Sequence, residues 1–309
     1  MISIKIDSVN ISEKKGTIKH AVPQIKITKL GVEHDAHAGD WHRQVSMLSK
    51  ESISKFEQQA KRKINYGEFA ENLTISGMNL VNSAPLDIFQ IGDVTLEITQ
   101  IGKKCHGDSC AIFREVGNCV MPKEGIFCRV IQGGNIKAGD MGNYIPKIFK
   151  THIITLSDRA SKGIYEDRSG HRILELTEQF FEEKKRCQKI HQTLIPDDPQ
   201  LLEELLNEST DKYDIIITTG GTGIGPKDFT PDVIKPLLDK EIPGIMDMIR
   251  IKYGQQKPNA LISRSVAGVI GSTLVFALPG SVKAVEEYMT EILRLLEHLI
   301  YMLHDLDTH

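Results

Sequence analysis

Two hydrophobic rhythms divide the chain. Up to about Ile145, apolar and polar residues alternate over short runs such as SIKID (3–7), VTLEITQI (94–101) and IFCRVI (126–131). A two-residue period marks strands with one buried face, and the Gly and Asn residues between the runs supply turn chemistry. One helix is expected around Ser49–Lys61, and GGNIKAGDMGNYIP (133–146) closes the region. Residues 1–146 therefore read as a mostly-β, barrel-like domain.

Beyond the YIPK junction the rhythm changes. HIITLS (152–157), KIHQTLIP (189–196), YDIIITT (213–219) and STLVFALPG (272–280) are short apolar strands. Helical spacing separates them at Ser169–Lys185, in DPQLLEELLNE (198–208) and in the long amphipathic Ser281–Leu303. Asp198 stands where an N-cap belongs, with Pro199 at the first helical position. YDIIITT is continuous and β-branched, as in a sheet buried on both faces. Residues 147–309 therefore read as a three-layer α/β domain with a mainly parallel sheet, whose ligands gather at the carboxyl ends of the strands.

Composition narrows the picture. The chain has 309 residues, which favours two domains, and 40% hydrophobic with 26% charged residues is ordinary for a globular protein. A formal net charge of −3 argues against a broad basic surface for nucleic acid. No run approaches 18 apolar residues, so no membrane segment is expected, and the alternating N-terminus lacks the apolar core of a signal peptide. Four of the five cysteines lie between Cys105 and Cys128, which suits a reducing compartment without a disulfide framework. The cytoplasm is the expected location.

The densest chemistry lies in ITTGGTGIGPKDFTPD (217–232). Glycines let backbone N–H groups approach an anion, and Thr230-Pro231-Asp232 reads as a helix start, with Thr230 as N-cap, that would favour a phosphate. Two further loops follow predicted strands: Ser157-Asp158-Arg159 and Pro196-Asp197-Asp198. Parallel strands would bring all three to one sheet edge. Asp197 and Asp228 suit Mg²⁺, which takes carboxylates together with phosphate oxygens. The competing reading is a tight turn with capping aspartates, and the convergence of three loops weighs against it. Lys227 is either a phosphate contact or a solvated loop lysine.

SDRASKGIYEDRSG (157–170), LIPDD (194–198), the glycine stretch and ISRSVAGVIGSTLVFALPGS (262–281), in that order, resemble the MogA/MoaB family of molybdopterin adenylyltransferases. The resemblance implies transfer of AMP from ATP to the phosphate of molybdopterin with release of pyrophosphate. It carries over two critical aspartates as Asp197 and Asp228, which would hold Mg²⁺. The nucleotide loop falls on Gly220, Gly221, Thr222 and Gly223, and further pocket residues on Ser157, Asp158, Arg159, Ser263, Arg264, Pro279, Gly280 and Ser281. It also implies a homotrimer.

In the first half, GVEHDAHAGDWHRQVSML places His34, Asp35, His37, His42 and Arg43 close together. The spacing is not that of a zinc motif, and an anion pocket built on Arg43 and imidazole donors is the better reading. Cys105, flanked by Lys103, Lys104 and His106, has cations that would lower a thiol pKa. Cys128 and Cys187 sit in or beside apolar runs and read as buried structural cysteines. HAGDWHRQVSML, GEFAENLTISGM, IGDVTLEITQIGKKC and MPKEGIFCRVIQGGNIKAGD resemble the MOSC domain, named for the C-terminal domain of molybdenum cofactor sulfurases. That resemblance implies a strand-rich barrel that binds molybdenum cofactor or carries sulfur on a cysteine, here Cys105. Many members have Pro-Arg-x-Pro-Cys where this chain has Ile-Gly-Lys-Lys-Cys, which leaves Cys110 and Cys119 as alternative thiols. His37, Arg43, Glu71 and Asn72 would form the polar pocket wall.

Both halves thus point to molybdenum cofactor: an adenylyltransferase joined to a domain that binds or sulfurates the cofactor, with a molybdenum insertase and molybdoenzymes as partners. A non-catalytic protein that stores or delivers the cofactor is the alternative.

Overall fold

The computed structural model describes residues 2–103 and 120–306. They form two compact units, one running up to Lys147 and including Leu306, the other spanning Ile148–Asp305.

The first unit is built from β1 (Ile2–Ile11), β2 (His20–Ala21), β3 (Gln24–Thr28), β4 (Gly31–Val32), β5 (Val45–Ser49), β6 (Leu73–Ser76), β7 (Ile88–Ile91), β8 (Val94–Ile101), β9 (Ile126–Gln132), β10 (Gly134–Lys137) and β11 (Met141–Ile145). The order β11-β7-β8-β9-β5-β6-β1 closes on itself because β1 also pairs with β11, giving a seven-stranded barrel. Closure leaves the wall without a free edge, and inward residues such as Ile4, Ile6, Met47, Ile75, Phe89 and Leu96 fill it. Strand β2 extends β1, while β10, β3 and β4 form a small separate sheet. The expected helix is Lys50–Ala60, capped by the Ser49 side chain and ended at Lys61 with φ 52°. It buries Ile53 and Phe56 in a satellite cluster, with Phe56 edge-on to Phe69 at 5.1 Å.

The second unit holds β12 (Ile148–Leu156), β13 (Cys187–Ile195), β14 (Ile215–Thr219), β15 (Lys240–Glu241), β16 (Val266–Ile270) and β17 (Thr273–Leu278), in the order β13-β12-β14-β17-β16-β15. The expected parallel character holds for β13–β12, β12–β14 and β14–β17. It fails for β17–β16 and β16–β15, which are antiparallel. The cause is local. Only Gly271 and Ser272 link β16 to β17, and so short a link makes a hairpin and not a crossover.

Helices cover both faces of this sheet. Leu202 and Leu206 of Pro199–Ser209 and Ile234 of Thr230–Ile234 pack with Ile154, Ile216 and Val275 on one side. Arg168–Glu183 and Val282–Leu303 pack together and against β12 and β17 on the other. Since β12, β13 and β14 are mutually parallel, the segments after Leu156, Ile195 and Thr219 leave from one edge. Among the described residues, no helix is long and apolar enough to cross a membrane.

Candidate active site

The three loops meet. Asp158 and Asp197 exchange hydrogen bonds, each carboxylate accepting from the other's backbone N–H at 3.2 Å. Lys227, reaching over from the glycine stretch, ion-pairs with Asp158 at 2.5 Å. That contact holds the Asp158 carboxyl below its usual range and Lys227 above its own. Lys227 remains solvent-exposed, as a loop lysine paired with Asp158. Ser157 caps the short turn that follows it by accepting from Ala160 N–H. The exposed Arg159 lies over the Tyr165 ring at 5.2 Å.

The glycine loop shows how a backbone becomes an anion cradle. Gly220 has φ +109° and Gly221 φ +63°, and an added Cβ would come within 2.5 Å of the Leu156 carbonyl oxygen and of Thr230 Oγ1 respectively. All four carbonyls of the loop are pinned by protein donors. Gly220 O accepts from Thr230 Oγ1 at 2.8 Å, Gly221 O from Thr230 N at 3.0 Å, Thr222 O from Arg264 N at 2.8 Å and Gly223 O from Arg264 Nε at 2.7 Å. On the donor side, Gly220 N–H is taken by Leu278 O. The amides of Gly221, Thr222 and Gly223 have no acceptor among the described residues. With its acceptors occupied and three donors free, the loop presents a positive face.

That face lines a cleft of about 470 Å³. Asp228 lines it too, with Oδ2 accepting from Gly225 N at 2.8 Å. Pro279, Gly280 and Ser281 close one side, and apolar walls come from Ala260, Ile262 and Ala284. A second cleft of about 440 Å³, lined by Ser157, Tyr165, Asp167 and Ser169, shares Gly280 and Ser281 with the first. Both volumes suit a small-molecule substrate.

Three expectations need correction here. Thr230 is not an N-cap: the cap position is Phe229 without a side-chain bond, and the Thr230 hydroxyl holds Gly220 O. The helix it opens is five residues long, Thr230–Ile234, too short for an anion site of its own. Asp232 accepts both Arg264 Nη1 bonds, at 2.8 and 2.9 Å, and with Pro231 lines a different hollow, together with Ser263 and Arg264. Arg264 also donates to Asp228 O. Its guanidinium therefore closes the 222–232 loop, and Ser263 alone of that pair also lines the main cleft.

The family model described as a probable molybdopterin binding domain matches residues 152–298. The MOSC domain model matches residues 34–141. A molybdopterin adenylyltransferase of Helicobacter pylori is 34% identical over 142 residues, 45% of this chain and 79% of that protein. The molybdopterin adenylyltransferase of Pyrococcus furiosus is 37% identical over 163 residues, 50% of this chain and 92% of that protein. Gephyrin of Dictyostelium discoideum is 35% identical over 159 residues, 49% of this chain but 22% of that protein. The chain belongs to the MogA/MoaB family.

The MOSC half has its own polar cluster. Asp35 is buried beside Lys19, accepts from Ser12 N–H, and receives the His37 backbone N–H at 3.0 Å. Burial works against the Asp35 charge, but His37 and Lys19 overcome it and hold the carboxyl well below its usual range. Lys19 is lowered by burial, with Asp35 offsetting part of the effect. Arg43 stacks over Trp41 at 4.8 Å and Phe127 at 5.8 Å. Glu71 is fully buried, with Oε1 accepting from Gly67 N at 2.6 Å and Thr74 Oγ1 at 2.9 Å. Burial pushes the Glu71 carboxyl up to about 7. His37 Nδ1 stands 3.4 Å from Asp35 Oδ1, while the buried Arg43 Nε and Glu71 Oε2 have no hydrogen-bond partner among the described residues. Asn72 differs from the expectation. Its side chain accepts from Ser46 N and Oγ and donates to Asn10 O, tying three barrel strands, so it braces the wall.

His42 bonds Gln100 at 3.1 Å, apart from Asp35. Among the described residues no three His, Cys, Asp or Glu side chains gather as a metal site. Cys105, Cys110 and Cys119 lie outside the described residues. Cys128 is buried as expected, whereas Cys187 is exposed at the start of edge strand β13.

Proposed function

We propose that the C-terminal unit adenylylates molybdopterin. The phosphate of the pterin attacks the α-phosphorus of ATP, a new P–O bond forms, the α–β P–O bond breaks and pyrophosphate leaves. The observation that carries this reading is the glycine loop with four pinned carbonyls and three free amides beside Asp228. Two clefts that share Gly280 and Ser281 suit a reaction between two small molecules.

The fold family implies Mg²⁺, and the residues fit it. Asp228 and Asp197 offer hard carboxylate oxygens, each oriented by a backbone N–H. When bound there, the ion supplies neutralising charge for the triphosphate. The chain's own contribution is positioning and electrostatics. The amides of 221–223 stabilise charge on the transferred phosphoryl group, and Arg264 keeps them aligned. No protein nucleophile is required, because the attacking phosphate is already anionic.

The test is pyrophosphate release from Mg-ATP with and without molybdopterin. Pterin-dependent release is expected, and Asp228→Asn should retain pterin binding while losing turnover at least tenfold. Pterin binding without any release would instead select storage or delivery of the cofactor. For the MOSC half we infer binding or sulfuration of the same cofactor, with Cys105 as the sulfur carrier and the His37–Arg43–Glu71 cluster as its polar wall. Cys105→Ser should abolish persulfide loading; unchanged loading would move the role to Cys110 or Cys119.

A further inference from the structure

The main cleft also carries charged side chains. Besides the glycine loop, its lining includes Lys257, Lys283, Glu287 and Tyr288. Lys257 Nζ ion-pairs with Glu287 Oε1 at 2.6 Å. Lys283 stands beside Lys257, whose ammonium pulls the Lys283 pKa down, while Glu287 holds Lys257 up. Two ammonium groups thus stand side by side in the lining of one cleft, one of them paired with Glu287. Like charges held together cost energy unless an anion arrives between them. A separate observation lies in the same wall. Tyr288 is buried, and its hydroxyl has no hydrogen-bond partner among the described residues. A buried hydroxyl without a partner is costly and is relieved when a ligand supplies one.

We propose that Lys257 and Lys283, with Tyr288 behind them, form a second phosphoryl subsite in this cleft, and that Glu287 holds it in a partly neutralised state until an anion enters. The subsite rests on the adenylyl-transfer reading for its substrate. It takes a phosphate-bearing group in the cleft that the two lysines line together with the glycine loop. That group is either the β,γ-diphosphate of ATP, which departs as pyrophosphate, or the phosphate monoester of the pterin. The carboxylate makes the device bidirectional: removing a lysine weakens anion binding, and removing Glu287 strengthens it.

The experiment titrates the full chain with inorganic pyrophosphate and, separately, inorganic phosphate by calorimetry, without turnover. Lys257→Gln and Lys283→Gln should each weaken pyrophosphate binding about tenfold, the loss expected for one charge-assisted contact. Glu287→Gln should tighten it severalfold. A purely structural role for the Lys257–Glu287 pair predicts that both substitutions act in the same direction, and that result, or no change in either, overturns the subsite. Steady-state kinetics on the lysine variants then separates the sources. A raised KM for ATP assigns the diphosphate, and a raised KM for molybdopterin assigns the monoester. Pterin-dependent turnover with unaltered pyrophosphate binding in every variant sinks the subsite alone. Lysine-dependent pyrophosphate binding without turnover leaves the subsite standing and sinks adenylyl transfer.

Discussion

Arg264 makes a set of contacts that lysine cannot reproduce. Its planar fork reaches Gly223 O, Asp228 O and both carboxylate oxygens of Asp232, while its own N–H holds Thr222 O. A point-charge ammonium could satisfy one or two of these at once. Arg264→Lys should therefore let the 221–223 amides drift, and kcat/KM for pyrophosphate release should fall roughly 10- to 100-fold, as expected for sub-ångström misplacement of an oriented site. An unchanged kcat/KM in that steady-state assay would mean that the loop aligns without the clamp. The sequence hides this role because the Arg264–Gly223 bond spans 41 positions. Caps are different: Asp198 was readable, since it bonds amides two and three residues away. Thr230 was misread for the same reason. Thr-Pro-Asp has the local pattern of a helix start, but a carbonyl ten residues earlier claims the hydroxyl.

At the scale of the element, the glycine loop is a backbone device. Gly220→Ala places a Cβ at 2.5 Å from Leu156 O in a conformation, φ +109°, that alanine resists. The sheet and helices do not depend on that turn, so the variant should keep its far-ultraviolet circular dichroism. Pyrophosphate release should fall by an order of magnitude or more. Loss of the folded spectrum instead would make the loop a determinant of the fold. Parallel strand order, and with it the meeting of three loops, followed from strand–helix alternation. The β16 hairpin did not, because VAGVI carries a glycine and runs without a helix into the next strand, so its periodicity looks like turn. In the barrel, the alternating runs announced strands, but closure depends on β1 pairing with both β6 and β11, which no local pattern encodes.

At the scale of the molecule, each unit carries a buried group whose pKa moves in its own direction. Burial raises Glu71 in the barrel from 4.5 to about 7. Burial, with His191 nearby, lowers His152 in the α/β unit from 6.5 to about 4. Between about pH 4.5 and 7 the folded barrel keeps a proton on Glu71 that the unfolded chain releases, so Glu71 lowers barrel stability as pH rises through that window. Between about pH 4 and 6.5 the unfolded chain takes up a proton that folded His152 refuses, so His152 raises the stability of its unit as pH rises. Shifts of this size correspond to roughly 3 kcal/mol each, or about 5–10 °C in melting temperature. Two units with separate cores should give two calorimetric transitions. Glu71→Gln should raise one transition at pH 8 and leave it unchanged near pH 4.5. His152→Gln should lower the other at pH 8, with the difference shrinking towards pH 4. If both substitutions moved the same transition, or if neither difference varied with pH, the opposed titration of the two halves would be wrong.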